Sequence, residues 1–553
     1  MPFPLAGAVS IGPDHARRRR NSERRSIKDE IRDHEGSSSP VNRASVTRDS
    51  GEKGTVMSEE TAGGGVSYEK VDDAYFDKRG LKRYAGVFSL WALGVGAVIA
   101  GQFSGWNLGM GTGGWGGMLV ATLIITVMYL GLTFSIAEMA AAQPHTGGAY
   151  SFARAAMGPW GGFITGLCEN VEYVLTAAVV CFFIGSYLGG IFETPAWVQP
   201  LYWIGAYAVF VGLNAGGVAM SFKFTVFITL LALACLAVFW VSALPHADFF
   251  KYAMNVGPGG TELKDGHGPF LPAGVGGALA QLPFAVWLFL AIEQLPLAAE
   301  ESHTPARDLP KGIILGISTL IVSALLVLWL NSAISPGTFA LAKSGEPILE
   351  GFRTIYGGGL AKVLAAVAVA GLVASFHAVI FAYGRQIYSL SRAGYFPRAL
   401  SVTHGVRKTP DVALITGAVA GLAVMLAVWF ILGAEKGAAV IGGTLLNMAV
   451  FGAMLSYLAQ GLSFILLRRK FPNLERPYRS RFGLTGAALT VAISLVTIFY
   501  QLKDPIYRTG VIGVAIWFAV GIAYFALFGR KKLVLSPEEA FAISGGKAAY
   551  ETH

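Results

Sequence analysis

The chain has 553 residues, of which 54% are hydrophobic and only 14% charged, and its mean hydropathy is +0.54. No soluble protein of this length needs so much apolar surface, and repeated apolar stretches of about 20 residues read as membrane-spanning helices. The net charge of +9 is no nucleic-acid signal here, because much of it sits in short loops between those stretches.

Residues 1–80 are polar, with a basic run at Arg17–Arg20 and a Ser37–Pro40 stretch. No core-forming segment appears, so they are expected as a disordered cytoplasmic tail, with Arg17–Arg20 either solvated or resting on anionic lipid. Nothing resembles the apolar core of a cleavable signal peptide. Met57 precedes a polar stretch and is a candidate for the true translation start.

Residues 81–530 are expected to form one transporter domain. Twelve spans are predicted, near 86–109, 115–142, 159–190, 199–217, 222–245, 274–299, 312–334, 358–392, 411–433, 438–468, 483–501 and 509–528. Lysine and arginine concentrate in alternate loops, from Arg307 and Lys311 through Arg392, Arg398, Arg468–Lys470 and Arg476 to Arg530–Lys532. That bias places both termini, including the tail 531–553, in the cytoplasm of a multi-pass plasma-membrane protein. The three cysteines, Cys168, Cys181 and Cys235, lie in apolar stretches with no disulfide framework or metal-ligand spacing.

Two spans look discontinuous. The first carries Gly94–Gly101, then Gln102, Gly105 and Asn107, and each glycine weakens a helix by about 1 kcal/mol relative to alanine. The sixth carries Glu293 and Pro296 inside an apolar run that ends in Glu300-Glu301. A carboxylate within hydrocarbon costs roughly 2.5–3.5 kcal/mol on insertion scales, and such groups usually mark a substrate or ion path. Broken spans at positions one and six point to an inverted five-plus-five repeat with a site at mid-membrane. The glycines also suit close helix packing.

Four motifs resemble the amino acid–polyamine–organocation (APC) superfamily. They are Trp287–Glu293 with Glu300-Glu301, Pro305, Arg307 and Pro310; Glu138 with Pro144, Gly147–Tyr150 and Gly158; Arg385 with Ser391–Gly394 and Pro397; and Arg476–Arg479. Within it the chain is most similar to ethanolamine permeases, through Gly94–Gly101 with Phe103 and Gly105–Asn107, and through Ala374–His377 with Tyr383–Gln386. The resemblance implies an all-α integral membrane protein of twelve helices, the inverted repeat plus two extra C-terminal helices, working by alternating access. It places Glu293 just beyond the helix-six break and Trp287 where an aromatic ring gates substrate. Some proton-coupled members carry a lysine midway along helix five; Phe224–Val241 has none.

Chemistry narrows the substrate. Ethanolamine is a small cation that needs a negative or π-rich wall, whereas an amino acid also needs a carboxylate receptor. Glu169 and Glu172, at i and i+3, share one face of span three. The expected contact set is Ala100, Gly101, Gln102, Phe103, Glu169, Glu172, Trp287, Ala291 and Glu293. Trp287 offers cation–π contact, and Glu293 serves either substrate or the broken helix itself. His377 is a proton-relay candidate beside a packing role. Arg385 and Arg392 read as structural or lipid-facing anchors. The expected function is import of ethanolamine or a similar small amine. The alternatives are an amino-acid or polyamine permease and a transporter-like sensor. The expected partners are the cationic substrate, a proton as candidate co-transported ion and the bilayer, with no cofactor, metal or nucleic acid. No enzyme is expected, because Gly111–Gly114 lacks the lysine of a phosphate loop and no nucleophile elbow or HExxH is present.

Overall fold

Residues 65–544, apart from 70, 72, 258–262, 264–265, 434–435 and 505–507, are described by a computed structural model of the chain. Met57 and Arg17–Arg20 lie outside the described residues. In chain order the elements are β1 (Tyr68–Glu69), α1 (Asp73–Asp77), α2 (Val87–Phe103), α3 (Met110–Ala142), α4 (Gly148–Phe192), α5 (Gln199–Ala215), α6 (Val218–Ala243), α7 (Gly274–Ala280) and α8 (Leu282–Trp287). They continue with α9 (Pro305–Ser332), α10 (Pro347–Tyr356), α11 (Gly358–Arg392), α12 (Asp411–Leu432), α13 (Gly437–Lys470), α14 (Gly483–Lys503), α15 (Arg508–Leu527), β2 (Leu533–Val534) and α16 (Pro537–Ser544).

Eleven helical stretches among the described residues are long and apolar enough to cross a bilayer. The apolar α2 is shorter, at 17 residues. Side-chain burial sorts the spans. Helices α4 and α11 are buried along most of their length and pack on one another and on α13 and α2. Helices α5, α6, α12, α14 and α15 instead expose large apolar side chains, among them Leu201, Phe227, Val241, Val419, Phe430, Phe499 and Ile516. In water such a belt would be an aggregation surface; against lipid it is the required one. The fold is that of an all-α integral membrane protein.

Helix boundaries depart from the predicted spans where glycine bends the chain. Helix α4 starts eleven residues before the predicted span at 159 because Gly158, at φ 83°, redirects it without ending it. Pro159 follows at the start of the new direction, where its missing N–H costs little. Gly114 bends α3 in the same way at φ 69°.

The sixth span is broken. Helix α8 stops at Trp287, residue Ala291 adopts a left-handed φ of 85°, and a 3₁₀ turn carries on from Ile292 to Glu301. The first span breaks too, but later than the glycine run suggests. Gly94–Gly101 are helical, and the chain leaves α2 at extended Ser104 and at Gly105, φ 97°, before a 3₁₀ turn over Trp106–Gly109. The glycines upstream serve close approach instead. A Cβ on Gly94 would fall 2.7 Å from Ile292, and one on Gly96 2.5 Å from the Thr229 hydroxyl.

Candidate functional site

The two breaks meet. A Cβ on Gly101 would lie 2.2 Å from the Trp287 carbonyl oxygen, and one on Gly105 2.5 Å from the Trp287 indole nitrogen. The indole Nε1 donates to the Ser104 carbonyl at 2.9 Å, so the ring of one interrupted helix is fastened to the freed backbone of the other. Gly101→Ala is therefore expected to abolish transport, measured as uptake into proteoliposomes, while the protein still purifies in folded form. Full uptake would show that the breaks tolerate separation.

Beside this junction the protein assembles three carboxylates. Glu169 and Glu172 come from α4, and Glu293 comes from the 3₁₀ turn; all three are at most 3% exposed. Gln386 Nε2 and Tyr173 Oη donate to Glu169 at 2.8 and 3.3 Å. Tyr457 Oη donates to Glu172 at 2.9 Å and lies 3.1 Å from Tyr129 Oη. Glu293 Oε2 accepts the Ala291 backbone N–H at 3.1 Å, which caps the broken end from within. One carboxyl oxygen of Glu172 and one of Glu293 have no hydrogen-bond partner. Among the described residues no lysine, arginine or histidine makes an ion pair with any of the three.

A narrow gap is lined by Ala97, Val98, Gly101, Thr176, Trp287, Leu290 and Ser375. Its walls come from α2, α4, the span-six break and α11. Thr176 stands one turn beyond Glu172, and its hydroxyl, also buried, has no partner. Ser375 Oγ donates to the Ala97 carbonyl.

The other expected residues are placed as follows. Ala100 and Ala291 contribute backbone at the two breaks, where the Ala100 carbonyl accepts the Ser104 N–H. Gln102 turns away, toward α9, donating to Ser323 Oγ at 2.8 Å. Phe103 packs on α11, where a Cβ on Gly371 would fall 2.2 Å from its ring. His377 lies in a separate polar cluster: its ring nitrogens are 3.0 Å from Asn214 Nδ2 and 3.0 Å from Ser221 Oγ. Tyr129, Tyr173, Thr176 and Tyr457 were not anticipated. Tyr173 and Thr176 carried a signal, since they extend the Glu169–Glu172 face at helical spacing.

Both ends of this region are covered. At one end, the loop after α9 sits on the span-one break. Asn107 Nδ2 donates to the Leu341 and Ser344 carbonyls at 2.5 and 2.8 Å, and Ser104 Oγ donates to the Gly345 carbonyl at 2.6 Å. The next residue is Glu346, whose carboxyl burial lifts from 4.5 to about 7, with nearby Glu350 adding to the rise and Arg353 opposing it. A carboxyl raised in the packed loop favours that packing fully below its ordinary value, and the benefit is lost as pH rises through about 7. Amide hydrogen exchange of residues 338–346, corrected for intrinsic rates, should therefore be faster at about pH 8 than at about pH 5. Glu346→Gln should flatten the difference; a pH dependence unchanged in that variant would assign it elsewhere.

At the other end, where β1 pairs with β2, two ion pairs join the end of span six to α11. Glu301 meets Arg385 at 2.7 Å, with both side chains at most 1% exposed. Glu300 receives both Arg392 Nη atoms, at 2.6 and 2.9 Å. Neither arginine faces lipid; both are buried and paired, which fits the structural alternative and not the lipid-facing one, since a guanidinium has no stable place in hydrocarbon without a counter-charge. A third acid, Glu138, gathers Arg468 at 2.6 Å, Arg476 at 3.1 Å and the Ser480 N–H at 2.7 Å. This joins two of the sequence motifs in one knot.

Interrupted helices that meet around buried acids, inside a lipid-facing helical bundle, define a membrane transporter architecture. Residues 86–528 match the amino acid permease family, and the chain belongs to that family, within the APC superfamily. It is similar to an uncharacterized transporter of Rhizobium meliloti, 29% identical over 73% of this chain and 83% of the relative. It is also similar to two proteins of Bacillus subtilis. One is a branched-chain amino acid permease, 24% identical over 82% of this chain and 94% of the relative. The other is a methylthioribose transporter, 23% identical over 83% and 96%.

Proposed function

We propose that this protein imports a small organic amine, ethanolamine or a close analogue, across the plasma membrane by alternating access. The observation that carries the reading is the group of three buried carboxylates with no basic partner among the described residues. Buried acids of one sign need a cation or a proton. A primary ammonium fits the unfilled oxygens of Glu172 and Glu293, with Trp287 covering it. The Ala291 N–H at the break, a natural receptor for a substrate carboxylate, is already taken by Glu293; that favours an amine over an α-amino acid.

In this reading α2 with the following 3₁₀ turn is the first of twelve spans, spans one to five and six to ten are inverted repeats, and the positive loops hold both termini in the cytoplasm. The membrane potential alone can drive cation entry, at about 2.3 kcal/mol per charge per 100 mV. Any proton exchanged in the cycle is held by the carboxylates, because His377 is engaged by Asn214 and Ser221.

A second reading, an amino-acid permease, is favoured by the family and by the branched-chain amino acid relative. Uptake into proteoliposomes, with ethanolamine, alanine and putrescine in competition, separates the two. Ethanolamine should compete best; dominance of alanine would overturn the amine site. Repeating the flux with and without a pH gradient tests the proton's part, and binding without flux would mark a sensor.

A further inference from the structure

Past the last span the chain turns back into the protein. Strand β2 pairs in parallel with β1, Tyr68 against Leu533 and Glu69 against Val534, and the Val534 N–H donates to the Ala393 carbonyl at 2.9 Å. Helix α16 then places two consecutive acids, Glu538 and Glu539, at most 1% exposed. Glu539 accepts Arg154 Nε at 2.6 Å, Tyr68 Oη at 2.6 Å and Tyr395 Oη at 2.7 Å. Glu538 accepts Arg392 Nη2 at 2.5 Å and Ser389 Oγ at 3.2 Å. Phe541 closes edge-on against His145, ring centres 5.8 Å apart.

Arg392 is the pivot. The same guanidinium that grips Glu300, at the end of the interrupted span six, also grips Glu538. Segment 533–544 therefore touches α4 through Arg154, α11 through Ser389 and Arg392, and span six through the shared arginine. If span six and α11 part on this face, Arg392 must leave Glu300 or Glu538. Burial of paired acids is close to neutral against their hydration. A segment held by such pairs is ordered when seated, and when it leaves, water must take over the arginines it uncovers.

We propose that residues 533–544 form a clasp that holds the β1–β2 face of the transporter closed, and that its release accompanies opening on that face. The transport cycle supplies the motion; the clasp sets how often it proceeds.

The test uses the full chain in nanodiscs, with Cys168, Cys181 and Cys235 replaced by alanine and Leu297→Cys as reporter. Leu297 is 1% exposed and lies beside Gly148, inside the closed face. Glu538→Gln with Glu539→Gln keeps shape while removing charge and one acceptor oxygen from each side chain. Thiol labelling at position 297 should accelerate roughly tenfold, as expected when a two-state closure loses its charge-assisted hydrogen bonds. Unchanged labelling in a monodisperse variant overturns the clasp. Hydrogen exchange on the unmodified protein gives a second decision that needs no variant. Residues 533–544 and 296–302 should open together; continued protection of 533–544 while 296–302 exchanges overturns the proposal.

Discussion

Glu172→Gln is expected to cut uptake of the proposed amine substrate roughly 10- to 100-fold, the equivalent of about 1.5–3 kcal/mol for one lost hydrogen bond to a charged group. Folding should be spared. The glutamine carbonyl still accepts the Tyr457 hydroxyl that lies 2.9 Å from Glu172, and the Tyr129–Tyr457 contact does not depend on charge. What disappears is one of the two carboxylates with an unpartnered oxygen on which the proposed cation site rests. Glu169→Gln should cost less, because both Glu169 oxygens already accept side-chain donors, Tyr173 and Gln386. Initial uptake rates in proteoliposomes, paired with thermal unfolding in detergent, make the comparison. Unimpaired uptake by Glu172→Gln would remove that carboxylate from the substrate path.

Much of this site was legible in the sequence because hydrocarbon makes exceptions costly. A glutamate and a proline in one apolar span identified the sixth helix as broken, and an i, i+3 glutamate pair named a helix face. The tyrosines were not legible. With 20 tyrosines in the chain, nothing in a lone residue such as Tyr129 or Tyr457 says that its hydroxyl meets an acid from another span.

The glycine run was legible only in part. A glycine that permits unwinding and one that permits contact look alike in sequence. Gly94, Gly96 and Gly101 prove to be contact glycines, and the turn falls at Gly105, where φ is 97°. The chain ends were the least legible. The segments around Tyr68 and Glu538 read as polar tails, because their partners, Arg154 and Arg392, lie 86 and 146 residues away in sequence.

The Glu301–Arg385 pair gives the second large effect, and it separates closure from substrate binding. The two groups meet at 2.7 Å with almost no exposure, and Arg385 also lies over the Phe381 ring at 3.9 Å. Glu301 is fixed from behind, its carbonyl accepting the Tyr84 and Ala85 N–H groups that lead into α2. Arg385→Met leaves the Glu301 carboxylate buried without a counter-charge and should cost about 3–5 kcal/mol of stability. Adding Glu301→Leu should recover most of that loss, since apolar replacement of a whole buried pair is often close to neutral. The double variant would then be stable yet unable to form the charged closure, so its defect should show in transport rate and spare amine binding. Thermal unfolding of both single variants and the double variant, with binding and flux on the double, completes the cycle. A double variant as unstable as the two single losses summed would mean that the residues act independently, and the pair would not be the lock between span six and α11.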